Sequence, residues 1–129
     1  MVINRRLTLQ RKIILEYLQN VKTHPTAEEV FNNVKIKIPK ITLATIYRNL
    51  QILAKEKQAE RLEVNGQFHF DGDLDPHIHF ICKNCQIIKD LFYDDLVHYF
   101  EKKMETSGFS IKNFKIQCEG ICKNCTQEA

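Results

Sequence analysis

Two Cys-x-x-Cys pairs, Cys82/Cys85 and Cys122/Cys125, bracket the C-terminal half of this chain, and His77-Ile78-His79 stands just ahead of the first. Each pair offers two thiolates from one tight turn. Together they supply the four soft ligands of a closed, tetrahedral zinc site at low entropic cost. The pairs lie farther apart than in a simple zinc ribbon, so whatever folds between them is clipped at both ends. Two disulfides would consume the same cysteines, but no secretory signal precedes them. An iron–sulfur cluster is the lesser metal alternative, because its cysteines usually crowd into one run.

A chain of 129 residues makes one domain or two small ones, and two would each have a marginal core. A stapling metal is then useful. No stretch approaches the roughly 20 apolar residues of a membrane span. The first residues, Met1 to Arg6, carry no apolar signal region after their charges. A soluble, cytoplasmic protein without a membrane partner is expected. The net charge of +3 is unevenly placed: residues 1–71 hold twelve Lys/Arg against seven Asp/Glu, and residues 72–129 seven against nine. The basic half suits a polyanion and the acidic, Cys/His half suits cations. There is no internal repeat or low-complexity tract.

The first half reads as helical. Leu7, Ile14, Leu15 and Leu18 repeat with helical spacing, with Thr8 as N-cap and an end near Asn20. His24-Pro25 breaks that helix. Thr26-Ala27-Glu28-Glu29 is a capping box that opens a second helix to about Val34. Pro39 ends the next connection. Thr42 caps a third helix, whose Leu43, Ile46, Leu50 and Leu53 form one apolar stripe. A strand around Glu60–Val64, the turn Asn65-Gly66 and a strand Gln67–Phe70 follow, and Asn-Gly between strands is a strong hairpin signal. Three helices followed by a hairpin predict a winged helix-turn-helix.

In such a fold the third helix reads DNA. Its outer face presents Ala44, Thr45, Tyr47, Arg48 and Gln51. Arg forks onto guanine, Gln onto adenine, and a Tyr ring packs on a thymine methyl. Arg5, Arg6, Arg11 and Lys12 add candidate phosphate or minor-groove contacts near the first helix.

From Asp71 to Pro76 the chain turns acidic and includes Gly72, which predicts a hinge over residues 72–76. Beyond it Ile78–Ile81 and Ile87–Leu91 read as strands around the first Cys pair. Asp94–Ser107 reads as a helix ended by Gly108, and Phe109–Gln117 as a last, imperfectly alternating strand. The expected class is α+β: a winged helix-turn-helix over 1–71, then over 77–129 a small α/β dimerisation domain with a four-cysteine zinc site. Its exposed sheet edge is a natural dimer interface.

The segments Thr8-Leu9-Gln10-Arg11, His24-Pro25-Thr26-Ala27-Glu28-Glu29, Leu43-Ala44-Thr45-Ile46-Tyr47-Arg48-Asn49-Leu50 and His77-Ile78-His79-Phe80-Ile81-Cys82-Lys83-Asn84-Cys85 resemble the ferric-uptake-regulator (Fur) family. The likeness runs in order along essentially the whole chain. It implies a homodimeric, metal-dependent repressor of double-stranded operator DNA, with structural zinc in the C-terminal domain. By the same resemblance Tyr47 and Arg48 match the base-contacting pair, and Arg6 the residue that enters the minor groove.

His77 and His79 are two apart, so on an extended strand both rings face the same way. With His24, Asp71 and Asp90 they make a mixed N/O set suited to Fe(II), Mn(II) or Zn(II). All five fall on the family's regulatory-ligand positions. Iron- and zinc-responsive members tend to carry Glu where this chain has Asp90, while the peroxide-sensing ones carry Asp. The resemblance therefore implies peroxide sensing: with iron bound, peroxide oxidises a ligand imidazole, His24 or His77, and the DNA is released. This is a single event on the protein and not turnover, and no small-molecule substrate other than peroxide is expected. An iron- or zinc-responsive uptake regulator of the same family is the alternative.

Several residues depart from the family's pattern. The chain starts a few residues before Thr8, where members carry a further helix, so an altered DNA affinity is expected. Pro76 replaces a usually polar residue. His69 would point the same way as Asp71, as a spare ligand or as a plain strand residue; His98 has no evident role, and Cys118 is a fifth, unpaired thiol. A metal-buffering or thiol-redox protein without DNA binding is the reading from a different class. A zinc hydrolase built on His77, His79 and Asp90 lacks a general base nearby.

Overall fold

The protein is described by a computed structural model covering residues 5–111 and 114–127, with side chains from Leu9 onward and that of Gln127 excepted. The chain divides into two compact units, Met1–Leu74 and Asp75–Ala129.

The first unit runs α1 (Arg5–Asn20), α2 (Ala27–Lys37), α3 (Leu43–Lys55), β1 (Glu60–Val64) and β2 (Gln67–Asp71). One core joins Ile14 and Leu18 of α1, Val30 and Val34 of α2, Ile46, Leu50 and Leu53 of α3, and Phe70 of β2. These are the residues that helical and strand periodicity place on single faces. Thr26 Oγ1 accepts from Glu29 N at 3.3 Å, and Thr42 Oγ1 accepts from Thr45 N at 3.1 Å, so these two of the three predicted caps form. Two helix ends differ from the expectation. α1 begins at Arg5, not at Thr8, because Arg and Leu are good helix formers that carry the turn past a weak cap signal. α2 runs one turn beyond Val34 to Lys37; Ile38 N–H closes it on Val34 O at 2.9 Å, and Pro39 allows no more.

β1 and β2 pair antiparallel, from Val64↔Gln67 to Glu60↔Asp71. Asn65 and Gly66 have φ of 55° and 80°, the left-handed pair that a two-residue turn of this hand requires. Beyond β2, Gly72 lies against α1. A Cβ there would meet Leu18 C at 2.7 Å and Gln19 N at 2.8 Å, both backbone atoms that cannot give way. Gly72→Ala is therefore expected to cost about 1–3 kcal/mol, read as a lowered midpoint of thermal unfolding.

The second unit runs β3 (Ile78–Cys82), β4 (Ile88–Leu91), α4 (Asp94–Thr106), β5 (Ile116–Gly120) and α5 (Lys123–Gln127). Its sheet has the order β4-β3-β5, with β4 antiparallel and β5 parallel to the central β3. A parallel neighbour needs a crossover, and α4 provides it. Gly108, at φ 91°, follows the end of α4. The strand expected over 109–117 starts only at Ile116 and continues to Gly120; residues 112 and 113 of that stretch lie outside the described residues. The pairing explains the shift: Ile116 sits opposite Ile78, the first residue of β3, so earlier residues have no strand to pair with. α5 was not anticipated by the sequence patterns. Among the described residues, no helix is long and apolar enough to cross a membrane.

Candidate metal centres and nucleic-acid interface

Cys82 ends β3 and Cys85 lies in the turn to β4. Cys122 follows β5, and Cys125 stands on α5. The register Cys82↔Gly120, with Lys83 N–H on Gly120 O at 2.8 Å, carries the second pair over the first. Cys82 Sγ is 3.7 Å from Cys125 Sγ and Cys85 Sγ is 3.7 Å from Cys122 Sγ. All four sulfurs lie within 4.8 Å of one another. Sulfurs about 2.3 Å from one ion at the corners of a tetrahedron are roughly 3.8 Å apart, so the set fits zinc. A disulfide needs about 2.05 Å, and all four are free thiols. The backbone N–H groups of Cys85 and Cys122 reach Cys82 Sγ at 3.5 and 3.4 Å. Those bonds, that of Cys85 foremost, pull the Cys82 thiol down to about 6 and favour the thiolate a metal needs. Cys118 lies exposed on β5, outside this cluster.

The five predicted N/O ligands are placed by elements of their own units. In the first, His24 Nε2 is 3.5 Å from Asp71 Oδ2, and both side chains are buried. Asp71 Oδ1 accepts from Asp73 N–H at 2.9 Å. His24 itself has φ 53°. Its carbonyl accepts a hydrogen bond from His69 Nδ1 at 2.7 Å, and Phe70 N–H donates to Pro25 O at 3.0 Å. His69 thus acts on the backbone of His24; no sequence signal marks a ring bonded to a distant carbonyl.

In the second unit, His77 and His79 do face the same way. Their Nε2 atoms are 2.9 Å apart, and Asp90 Oδ1 lies 3.4 Å from the first and 3.3 Å from the second. The β3–β4 register explains the third donor, because His79 stands directly opposite Asp90. His77 Nδ1 bonds the Asp75 carbonyl, which keeps its proton on Nδ1 and turns the Nε2 lone pair inward. Three donors about 3 Å apart suit adjacent positions around an ion with bonds of about 2.0–2.2 Å.

On α3, Tyr47, Arg48 and Gln51 are exposed beside Ala44, opposite the buried Ile46, Leu50 and Leu53. Thr45 is half-buried, and its hydroxyl shares a hydrogen bond with Thr42 Oγ1 at 2.9 Å. The Tyr47 hydroxyl donates to Glu28 Oε1 on α2 at 2.6 Å. That bond holds the Glu28 carboxyl below its ordinary range and raises the Tyr47 phenol. Arg11 Nε donates to Asn49 Oδ1 at 3.2 Å, and Asn49 Nδ2 donates to Thr45 O at 3.0 Å. Arg11 therefore spends one donor tying α1 to α3. The side chain of Arg6 lies outside the described residues.

The profile of the Ferric uptake regulator family matches residues 3–119. The chain is 32% identical over 124 residues to the peroxide operon regulator of Bacillus subtilis (strain 168), covering 95% of this chain and 86% of that protein. The solved Campylobacter jejuni peroxide stress regulator superposes with a TM-score of 0.82 at 29% identity, over 94% of this chain and 92% of that one. The ferric uptake regulator from Pseudomonas aeruginosa, solved with manganese, shares the fold, with a TM-score of 0.78 at 21% identity over 95% and 99% of the two chains. A profile that spans both units, together with a relative above 30% identity along nearly the whole length, shows that this chain belongs to the ferric uptake regulator family.

Proposed function

We propose that the chain is a metal-dependent, DNA-binding transcriptional repressor that senses peroxide. The convergence of His77, His79 and Asp90 carries the reading, on a chain 32% identical to a peroxide operon regulator. Cys82, Cys85, Cys122 and Cys125 hold a structural zinc. His24, Asp71, His77, His79 and Asp90 ligate one regulatory Fe(II) or Mn(II). Since these ligands come from both units, loading the ion restricts the hinge at 72–76 between the DNA-binding segment 1–71 and the dimerisation segment 77–129. In a homodimer this sets two recognition helices about one DNA turn apart, roughly 34 Å. β5, an edge strand among the described residues, and the exposed Tyr99, Phe100 and Met104 of α4 support pairing of two copies.

Tyr47, Arg48 and Gln51 read base edges, with Thr45 at the helix start, while Arg6 and Arg11 serve the backbone and minor groove. Bound Fe(II) supplies the one-electron chemistry by which peroxide oxidises a neighbouring imidazole. By the family resemblance His24 or His77 is the imidazole that receives that oxygen; Asp71 lies 3.5 Å from the first, and the second bonds the Asp75 carbonyl. Each chain is modified once, so the protein is a sensor and not an enzyme. It works in the cytoplasm, where its operator is.

DNA titrations test the interface. Arg48→Ala is expected to lose about 1–3 kcal/mol of discrimination at one operator position. Arg6→Ala should weaken all duplexes evenly and lower the salt slope by about one. Unchanged affinity, base preference and salt slope in both variants would refute the recognition-helix assignment.

A further inference from the structure

His24 stands in a conformation that its own sequence disfavours. A φ of 53° is rare outside glycine, and the residue before a proline is further restricted to extended backbone. Such a conformation persists only where the surroundings over-determine it. Here three successive residues of β2 grip the segment. His69 Nδ1–H donates to the His24 carbonyl at 2.7 Å, Phe70 N–H donates to the Pro25 carbonyl at 3.0 Å, and Asp71 Oδ2 faces the His24 ring at 3.5 Å.

We infer that His69 is a positioning residue for His24, holding the peptide ahead of α2 in the left-handed conformation that turns the His24 imidazole toward Asp71. The inference rests on the reading of His24 as a ligand of the regulatory ion. Of the three grips, the His69 bond alone joins a side chain to the His24 backbone, so it alone can be removed without touching a proposed ligand. A carbonyl only accepts, so Nδ1 of His69 carries the proton and is closed to a metal. Among the described residues, no cluster of metal-type donors includes His69. Its contribution is to present His24 ready-made, so that binding an ion does not have to impose the rare backbone conformation.

The test uses two variants of nearly equal shape in the full-length, zinc-containing protein. His69→Asn keeps an N–H donor branching from Cγ where Nδ1 stands; His69→Leu keeps the branching without a donor. Mn(II) affinity is measured by competition with a fluorescent chelator, and operator binding is followed against Mn(II). His69→Leu is expected to bind Mn(II) about 10–100-fold more weakly and to need correspondingly more Mn(II) for DNA binding. His69→Asn should stay close to the unaltered protein. If the Leu variant does not fold, His69→Gln, whose amide lies one methylene too far out, takes its place with the same expectation. Equal affinities for the donor and donorless variants overturn the positioning role. A His24→Ala control separates the two readings: Mn(II) binding undiminished in that variant overturns both, whereas binding lost there but kept in every His69 variant overturns this one alone.

Discussion

Cys125→Ser is expected to empty the four-cysteine site, lowering zinc from about one ion per chain to near zero, and to dissolve the dimer. The second unit has little else to hold it. Among its described residues only Ile78, Ile81, Cys82 and Val97 are buried hydrophobics, whereas the first unit gathers a cluster of eleven. Structural zinc sites bind with apparent energies of about 10–16 kcal/mol in small peptides, and on the proposed assignment that energy would hold this unit together. Cys82 ends β3 and Cys85 lies in the turn to β4, while Cys122 and Cys125 follow β5, so one ion would tie the β3–β4 turn to the segment after β5. Cys118→Ser is the matched control. Its thiol is exposed on β5 and outside the cluster, so zinc content should be unchanged. Metal analysis and light scattering on the purified proteins decide the matter. A Cys125→Ser protein that stays dimeric with full zinc would sink the structural assignment.

Peroxide should mark the Fe(II)-loaded protein and spare the Mn(II)-loaded one. Given stoichiometric peroxide, the iron form is expected to gain one oxygen atom on the peptide holding His24 or His77 and to leave operator DNA. The manganese form should bind the same DNA and remain unmodified, because Mn(II) does not readily run that one-electron chemistry. Asp90 is the residue on which the distinction turns. One of its oxygens already lies 3.3–3.4 Å from both imidazole Nε2 atoms. An added methylene changes how the carboxylate meets the iron and whether a position stays open to peroxide. Asp90→Glu should therefore keep metal-dependent DNA binding and blunt the peroxide response. Peptide mass spectrometry after each treatment reads the outcome. No iron-dependent histidine oxidation, with DNA release following metal concentration alone, would move the chain to the iron- or zinc-responsive regulators of its family.

What the sequence by itself determined is what near neighbours decide. Thr26 and Thr42 cap because their hydroxyls reach N–H groups three residues on. Asn65-Gly66 turns because those two residues tolerate positive φ. The α3 stripe and the same-facing His77 and His79 follow from periods of 3.6 and 2. Each Cys-x-x-Cys is a ligand pair already in its own turn. Helix ends were less legible, since good helix formers beside a cap signal let a turn continue, as at Arg5 and at Lys37.

Only the tertiary structure decided the pairings between distant positions. β5 begins at Ile116 because β3 begins opposite it at Ile78, a matter of register that no local alternation encodes. Tyr47 meets Glu28 across 19 residues, Arg11 meets Asn49 across 38, and His69 meets the His24 carbonyl across 45. A candidate list drawn from residue types sees Tyr47, Arg11 and His24 as free to act on a ligand. The fold spends the Tyr47 hydroxyl, one Arg11 donor and the His24 carbonyl on the protein itself, since packing brings partners from distant positions.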